Sequence, residues 1–163
     1  MANTQVLKEA VENFVRGALE SEFGTPFVKK RLILVRVEVP PSDHEFDAVA
    51  TDGSVIAGII SSAARTSGGK RNVGAVHHAT GELYYLTLTE ARRRMLICTD
   101  ASFCDLMNSV TRGRLASGLE IRHMTLPDDI ERRAQASRTG SSFEMGARMQ
   151  SGKDVGGSPA PVP

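Results

Sequence analysis

The dipeptide Asp52-Gly53, set between Phe46-Asp47-Ala48-Val49 and Val55-Ile56-Ala57-Gly58-Ile59-Ile60, constrains this chain more than any other feature. Glycine reaches positive φ without a steric penalty, so an Asp-Gly pair flanked by β-branched runs favours a tight turn and an antiparallel hairpin. Its strands are expected at about Glu45 to Ala50 and Ser54 to Ser62. Register then decides which side chains can meet, because residues two apart on a strand share a face and neighbours do not. Upstream, Arg31 to Val39 is rich in Leu, Ile and Val and reads as a third strand of the same meander. Pro40-Pro41 closes it, since proline lacks the backbone donor that a central strand needs.

Helical periodicity brackets the meander. Val6, Leu7, Ala10, Val11, Phe14, Val15, Ala18 and Leu19 recur at helical spacing and predict a helix from about Thr4 to Ser21. Lys8, Glu12, Arg16 and Glu20 fall four apart with alternating sign, which reads as a solvated face. A second helix is expected from about Asn72 to Arg93, with Arg92-Arg93-Arg94 favourably placed at the negative end of its dipole. Met95 to Thr99 reads as a buried strand, Asp100 or Ser102 to Thr111 as a third helix, and Leu119 to Met124 as a last strand. Strand-helix-strand spacing of this kind implies crossover connections, so the late strands are expected to add to the meander as one mixed sheet. The fold class is thus α/β with α+β character, a mixed central sheet flanked by helices.

One domain over residues 1–127 suits the length and the ordinary 40% hydrophobic content. Residues 128–163 change character: Asp128 to Ala136 can form a surface helix, and the Gly, Ser, Arg and Pro that follow Ser137 are expected to be a disordered tail. A net charge of +1 gives no global pull on a polyanion, so any nucleic-acid surface must be local. No apolar run or leader-like start points to a membrane or to export, and the expected location is the cytoplasm. Cys98 and Cys104 are too few for a disulfide framework and read as small buried hydrophobes.

The order helix, three-stranded meander, helix, strand, helix, strand resembles the restriction-endonuclease-like fold of the PD-(D/E)xK nuclease superfamily over about Val6 to Pro127. The most specific piece is His44-Glu45-Phe46-Asp47. It is similar to an H-x-F-D strand of bacterial members, followed at the usual distance by the place of a G-E-x-K strand. Glu82-Leu83-Tyr84-Tyr85-Leu86, the arginine-rich turn before Met95-Leu96-Ile97-Cys98-Thr99-Asp100, and the stretch from Leu119 to Pro127 add apolar patterning.

In active members, the resemblance implies, an Asp and a Glu ligate a divalent cation through hard oxygens and a Lys activates water, often with help from an acid on the first helix. Carried over residue by residue, Asp47 matches the Asp, and Glu20 or Glu22 the helix acid; these are the implied metal ligands. Gly58 falls at the Glu and Ile60 at the Lys, and neither can do that work. The implied protein is a catalytically degenerate nuclease-like domain without a cofactor, acting as a nucleic-acid-associated module, on DNA rather than RNA, or as a protein-binding module. The alternative is an active Mg2+-dependent nuclease in which Glu82 and Lys70 have taken over the missing roles. A third reading is an accessory protein that docks a partner through Phe143, Met145 and Met149 of its tail. The family reading requires Asp47, Gly58 and Ile60 to project from one face, and opposite faces would remove its basis.

Each signal has a plainer explanation beside it. Asp47 can cap a turn or pair with a lysine. His78 and Glu82, four apart, can hold a metal between them, yet such pairs are ordinary on exposed helices. Ser61-Ser62 has no His and acid placed around it by motif, and Ser67-Gly68-Gly69-Lys70 lacks the spacing of a phosphate-binding loop. Lys29-Lys30-Arg31 reads as a solvated strand start, although with Lys70, Arg71 and the triplet Arg92, Arg93, Arg94 it could line one cationic groove.

Overall fold

The computed structural model describes residues 2–35 and 42–137. Its elements are α1 (Ala2–Phe23), β1 (Phe27–Ile33), β2 (Asp43–Ala50), β3 (Val55–Ile60), α2 (Val73–Thr87), β4 (Arg93–Cys98), α3 (Ala101–Val110) and β5 (Leu119–His123), followed by a helix over 128–137, α4. The five strands form one sheet in the order β1-β2-β3-β4-β5. β1, β2 and β3 are antiparallel neighbours, and β4 and β5 continue the sheet in parallel after the crossovers through α2 and α3. The mixed sheet expected from the spacing of the elements is therefore present. The Asp52-Gly53 turn forms as its chemistry dictates, with Gly53 at φ 73° and Asp52 accepting from the backbone and hydroxyl of Ser54.

Each face of the sheet carries its own core. Phe46, Val49, Ile56, Ile60, Leu96 and Cys98 point toward α2 and α3, meeting Val76, Ala79, Leu83, Leu86, Phe103 and Met107. Ala48, Ala50, Val55, Ala57, Met95 and Ile97 point the other way, toward Leu7, Val11, Val15 and Leu19 of α1 and Ala134 of α4. Alternation along β3 and β4 thus sorts neighbouring residues to opposite layers, as a sheet covered on both faces demands.

Two boundaries differ from the sequence expectation, each for a physical reason. β1 begins at Phe27 rather than Arg31, and residues 36–41, with the Pro40-Pro41 turn, lie outside the described residues. As an edge strand, β1 spends Lys29 and Arg31 on carboxylates of α1 and β2, so apolar content does not mark it. Helix α2 stops at Thr87, where the Leu88 amide and the Thr89 hydroxyl satisfy its last carbonyls. The arginine triplet consequently runs into β4, and a helix dipole does not explain it. The tail from residue 138, with Phe143, Met145 and Met149, also lies outside the described residues.

Candidate functional site

β2 and β3 stay paired only through Ala48–Ala57 and Val49–Ile56, and beyond these positions the strands part. Within the same stretch β1 advances from Val28 to Lys30 while β2 goes from Val49 to Phe46, so β2 holds one extra residue. Such a bulge re-aims side chains. Here it lets Phe46 and Val49 face one core while Asp47 enters the gap between the strands. One carboxylate oxygen of Asp47, Oδ2, accepts the Ile59 amide at 2.9 Å, and its own carbonyl takes a 2.6 Å hydrogen bond from Arg16 of α1.

A pocket of about 240 Å³ opens where the strands separate, lined by Glu12, Lys29, Glu45, Asp47, Ile59, Ser61 and, from α2, His78 and Glu82. Lys29 Nζ stands among three carboxylates: 3.4 Å from Glu45 Oε1, 3.6 Å from Glu12 Oε2 and 4.0 Å from Asp47 Oδ1. Desolvation, the largest influence on Lys29, disfavours its charge, but Glu12 first, then Glu45 and Asp47, outweigh it and hold the ammonium above its usual 10.5. Glu12 is 4% exposed and also faces Lys8 and Arg16 at 3.6 Å each. Its Oε1 has no hydrogen-bond partner among the described residues.

The far wall belongs to α2. Glu82 takes a 3.2 Å contact from His44 Nε2 through one oxygen and lies 3.8 Å from His78 Nε2 through the other. His44 stacks on Tyr85 with ring centroids 4.0 Å apart. Gly58 is what lets Glu82 approach: a Cβ there would lie 3.1 Å from Glu82 Oε2, so any side chain, a glutamate included, would press into the carboxylate. The His-x-Phe-Asp pattern thereby acquires three separate roles: His44 holds Glu82, Phe46 fills the core and Asp47 binds β3.

The expectation that Gly58 and Ile60 share a face with Asp47 is corrected. Gly58 abuts Glu82 and Leu96, and Ile60 packs in the α2–α3 core, whereas Ile59, next to Asp47, packs on the α1 side. The β3 position that packs on the Asp47 side is Ile59, one residue on, although Ile60 also lines the pocket from the other core, and the positional match through Gly58 and Ile60 is withdrawn. Neither Glu20 nor Glu22 reaches the pocket: Glu20 is exposed, and Glu22 makes a two-pronged bond at 2.9 Å with Arg122 of β5. That hydrogen bond is the main reason the Glu22 pKa lies below its usual value.

Glu82 does line the pocket with Asp47, while Lys70 does not. Lys70 and Arg71 belong to an exposed loop after β3, pinned by a bridge between Arg65 and Arg71. Arg92, Arg93 and Arg94 lie beside the start of β3, since Val55 pairs with Arg93, so the two clusters occupy opposite ends of the strands and do not form one groove. Arg93 is committed to Glu120 at 2.8 Å and to the Phe23 ring, and Arg94 to the Ser117 carbonyl.

Periodicity missed two members of the pocket. Glu12 reads as part of a solvated stripe because its burial depends on a cation from β1, far off in sequence. Lys29 reads as a strand-start charge because only the bulge in β2 brings Asp47 opposite it. The divalent cation implied by the superfamily resemblance needs oxygens at about 2.1 Å for Mg2+ or 2.3–2.6 Å for Ca2+. These carboxylates instead surround an ammonium at 3.4 to 4.0 Å, and the residues as arranged do not fit a metal ion. Compared with protein-family models, curated proteins and solved structures, the chain matches none.

Proposed function

We propose that this chain is a mixed α/β domain that holds nucleic acid without cutting it. The observation that carries the reading is the commitment of Asp47: one oxygen is spent on the Ile59 amide, the other faces Lys29, and the stretch from Ile59 to Ser62 that lines the pocket beside it holds no carboxylate or lysine. What remains of the superfamily resemblance is the order and pairing of the elements and an Asp where β2 and β3 part. It no longer includes Gly58 or Ile60.

The surface suited to phosphates is the loop after β3. Arg65, Lys70 and Arg71 are exposed and make no ion pair with an acid among the described residues; Arg65 donates only to the Gly69 carbonyl. Lys29, Arg31 and Arg93 are all tied to carboxylates. Purified protein incubated with linear, supercoiled and single-stranded DNA, in Mg2+ or Mn2+, is expected to leave all three intact. Cleavage that disappears in Asp47→Ala overturns the reading. Duplex DNA is expected to bind weakly and without sequence preference, with a salt slope that falls by about 0.9 for each of these cations replaced by alanine. No binding at low salt shifts the assignment to a protein partner. The reading with relocated catalytic groups retains one observation, Glu82 seated against Gly58, and cleavage lost in Glu82→Ala identifies it.

A further inference from the structure

We propose that β5 is a docking edge for a second copy of this chain, pairing antiparallel with itself about Ile121 so that two sheets run into one. Pairing at this edge is independent of the nucleic-acid reading. β5 closes the sheet beyond β4 and has no strand on its far side among the described residues. Its ladder shows which backbone groups are left over. The Arg94 amide donates to the Gly118 carbonyl and the Met124 amide to the Cys98 carbonyl. A parallel strand presents alternate residues to its neighbour, so Glu120 and Arg122 carry the backbone groups that face β4, and those of Leu119, Ile121 and His123 point outward. The Leu119 amide turns back to the Ala116 carbonyl at 3.1 Å, whereas the amides of Ile121 and His123 meet no backbone acceptor among the described residues.

Charge selects both the occupant and the register. Arg122 projects on the α1 side, where it meets Glu22, and Glu120, two residues away, shares that side and meets Arg93. Both keep water contact, at 39% exposure for the Glu120 side chain and 31% for that of Arg122. Setting Ile121 opposite Ile121 of a second copy places the Glu120 of each opposite the Arg122 of the other. A shift of two residues, the smallest that keeps the outward groups facing one another, sets Glu120 against Glu120 or Arg122 against Arg122. In the central register each copy gives its Ile121 amide to the other's Ile121 carbonyl and its His123 amide to the other's Leu119 carbonyl. The pairs already present then extend across the seam, with Arg93 and Glu120 of one copy continuing into Arg122 and Glu22 of the next. The opposite edge behaves differently: Lys29, Lys30 and Arg31 follow one another on β1 and repel a second copy, a common guard on a free edge. β5 has no such run, no proline and no bulge.

Sedimentation velocity of the purified full chain is expected to show a species of twice the 17.5 kDa monomer that dissociates on dilution, since a five-residue edge makes a small interface. Glu120→Arg and Arg122→Glu each turn both cross-strand pairs repulsive and should weaken self-association at least roughly tenfold. Mixed in equal amounts, the two variants regain opposite charges at both pairs and should dimerise again, which a defect in the fold of either would not allow. In the wild type the Ile121 and His123 amides should exchange with solvent slowly in concentrated solution and faster on dilution, while the Glu120 and Arg122 amides that face β4 keep their rates. A wild type that stays monomeric at roughly 1 mM overturns the proposal. So does a dimer whose Ile121 amide exchanges freely, a dimer that both charge variants retain at wild-type strength, or folded variants that stay monomeric when mixed. If neither variant folds, the exchange pattern of the wild type decides alone.

Discussion

Glu12, at 4% exposure, is surrounded by Lys8, Arg16 and Lys29, and it anchors α1 to the sheet through charge as well as through Val11 and Val15. Glu12→Ala would leave these cations facing one another around an empty space. Its cost is expected at about 1–3 kcal/mol in urea unfolding, below that of a fully buried pair because Lys8 and Lys29 retain water. The thiols behave in the opposite way. Burial first, and then the neighbouring Cys104, pushes the Cys98 pKa up to about 12, so this sulfur is expected to ignore a thiol reagent at pH 8 until the protein is unfolded. Reaction of Cys98 in the native state would contradict that. The sequence shows Asp47 and Glu82 as residues of interest because each lies in a patterned stretch. Glu12 and Lys29 escape it because a charge at helical or strand spacing looks the same whether water or a buried counter-charge faces it.

Among the elements, the parallel half was the more legible. β3, β4 and α3 are short apolar runs bounded by polar turns, and their expected limits lie within one or two residues of those observed. Asp100 shows why α3 starts where it does: its carboxylate accepts from the Phe103 amide and the Ser102 hydroxyl. Asp100→Ala is expected to cost about 0.5–2 kcal/mol, and an Asn at the same place much less. Edge strand β1 was the least legible, because its identity lies in pairings with β2 and in ion pairs with α1 rather than in its own composition. The one-residue error in placing β3 against Asp47 has the same origin. A bulge adds a residue without any local signature, and a shift of one exchanges every side chain between faces.

For the molecule as a whole, two ion pairs set opposite ends of its pH range. Glu22 reaches Arg122 of the last strand, and its folded pKa lies below the ordinary 4.5, so its contribution is complete above that value and is lost as pH falls through the folded one. Lys29 is held above 10.5, so its contribution is complete below that pH and is lost as pH rises through the folded value. Melting temperature against pH is therefore expected to fall at both ends, with Glu22→Gln flattening the acid limb and Lys29→Met the alkaline one. Among the described residues no helix is long and apolar enough to cross a membrane. The gap between β2 and β3 has one more consequence. Beyond Ala48–Ala57, what joins the antiparallel half of the sheet to the parallel half at Ile59 is a side-chain oxygen, where a main-chain carbonyl would ordinarily serve. A backbone carbonyl survives every substitution, but this rung belongs to one codon: changing Asp47 alone is expected to release the Ile59 amide to exchange with solvent and to loosen the seam between β2 and β3.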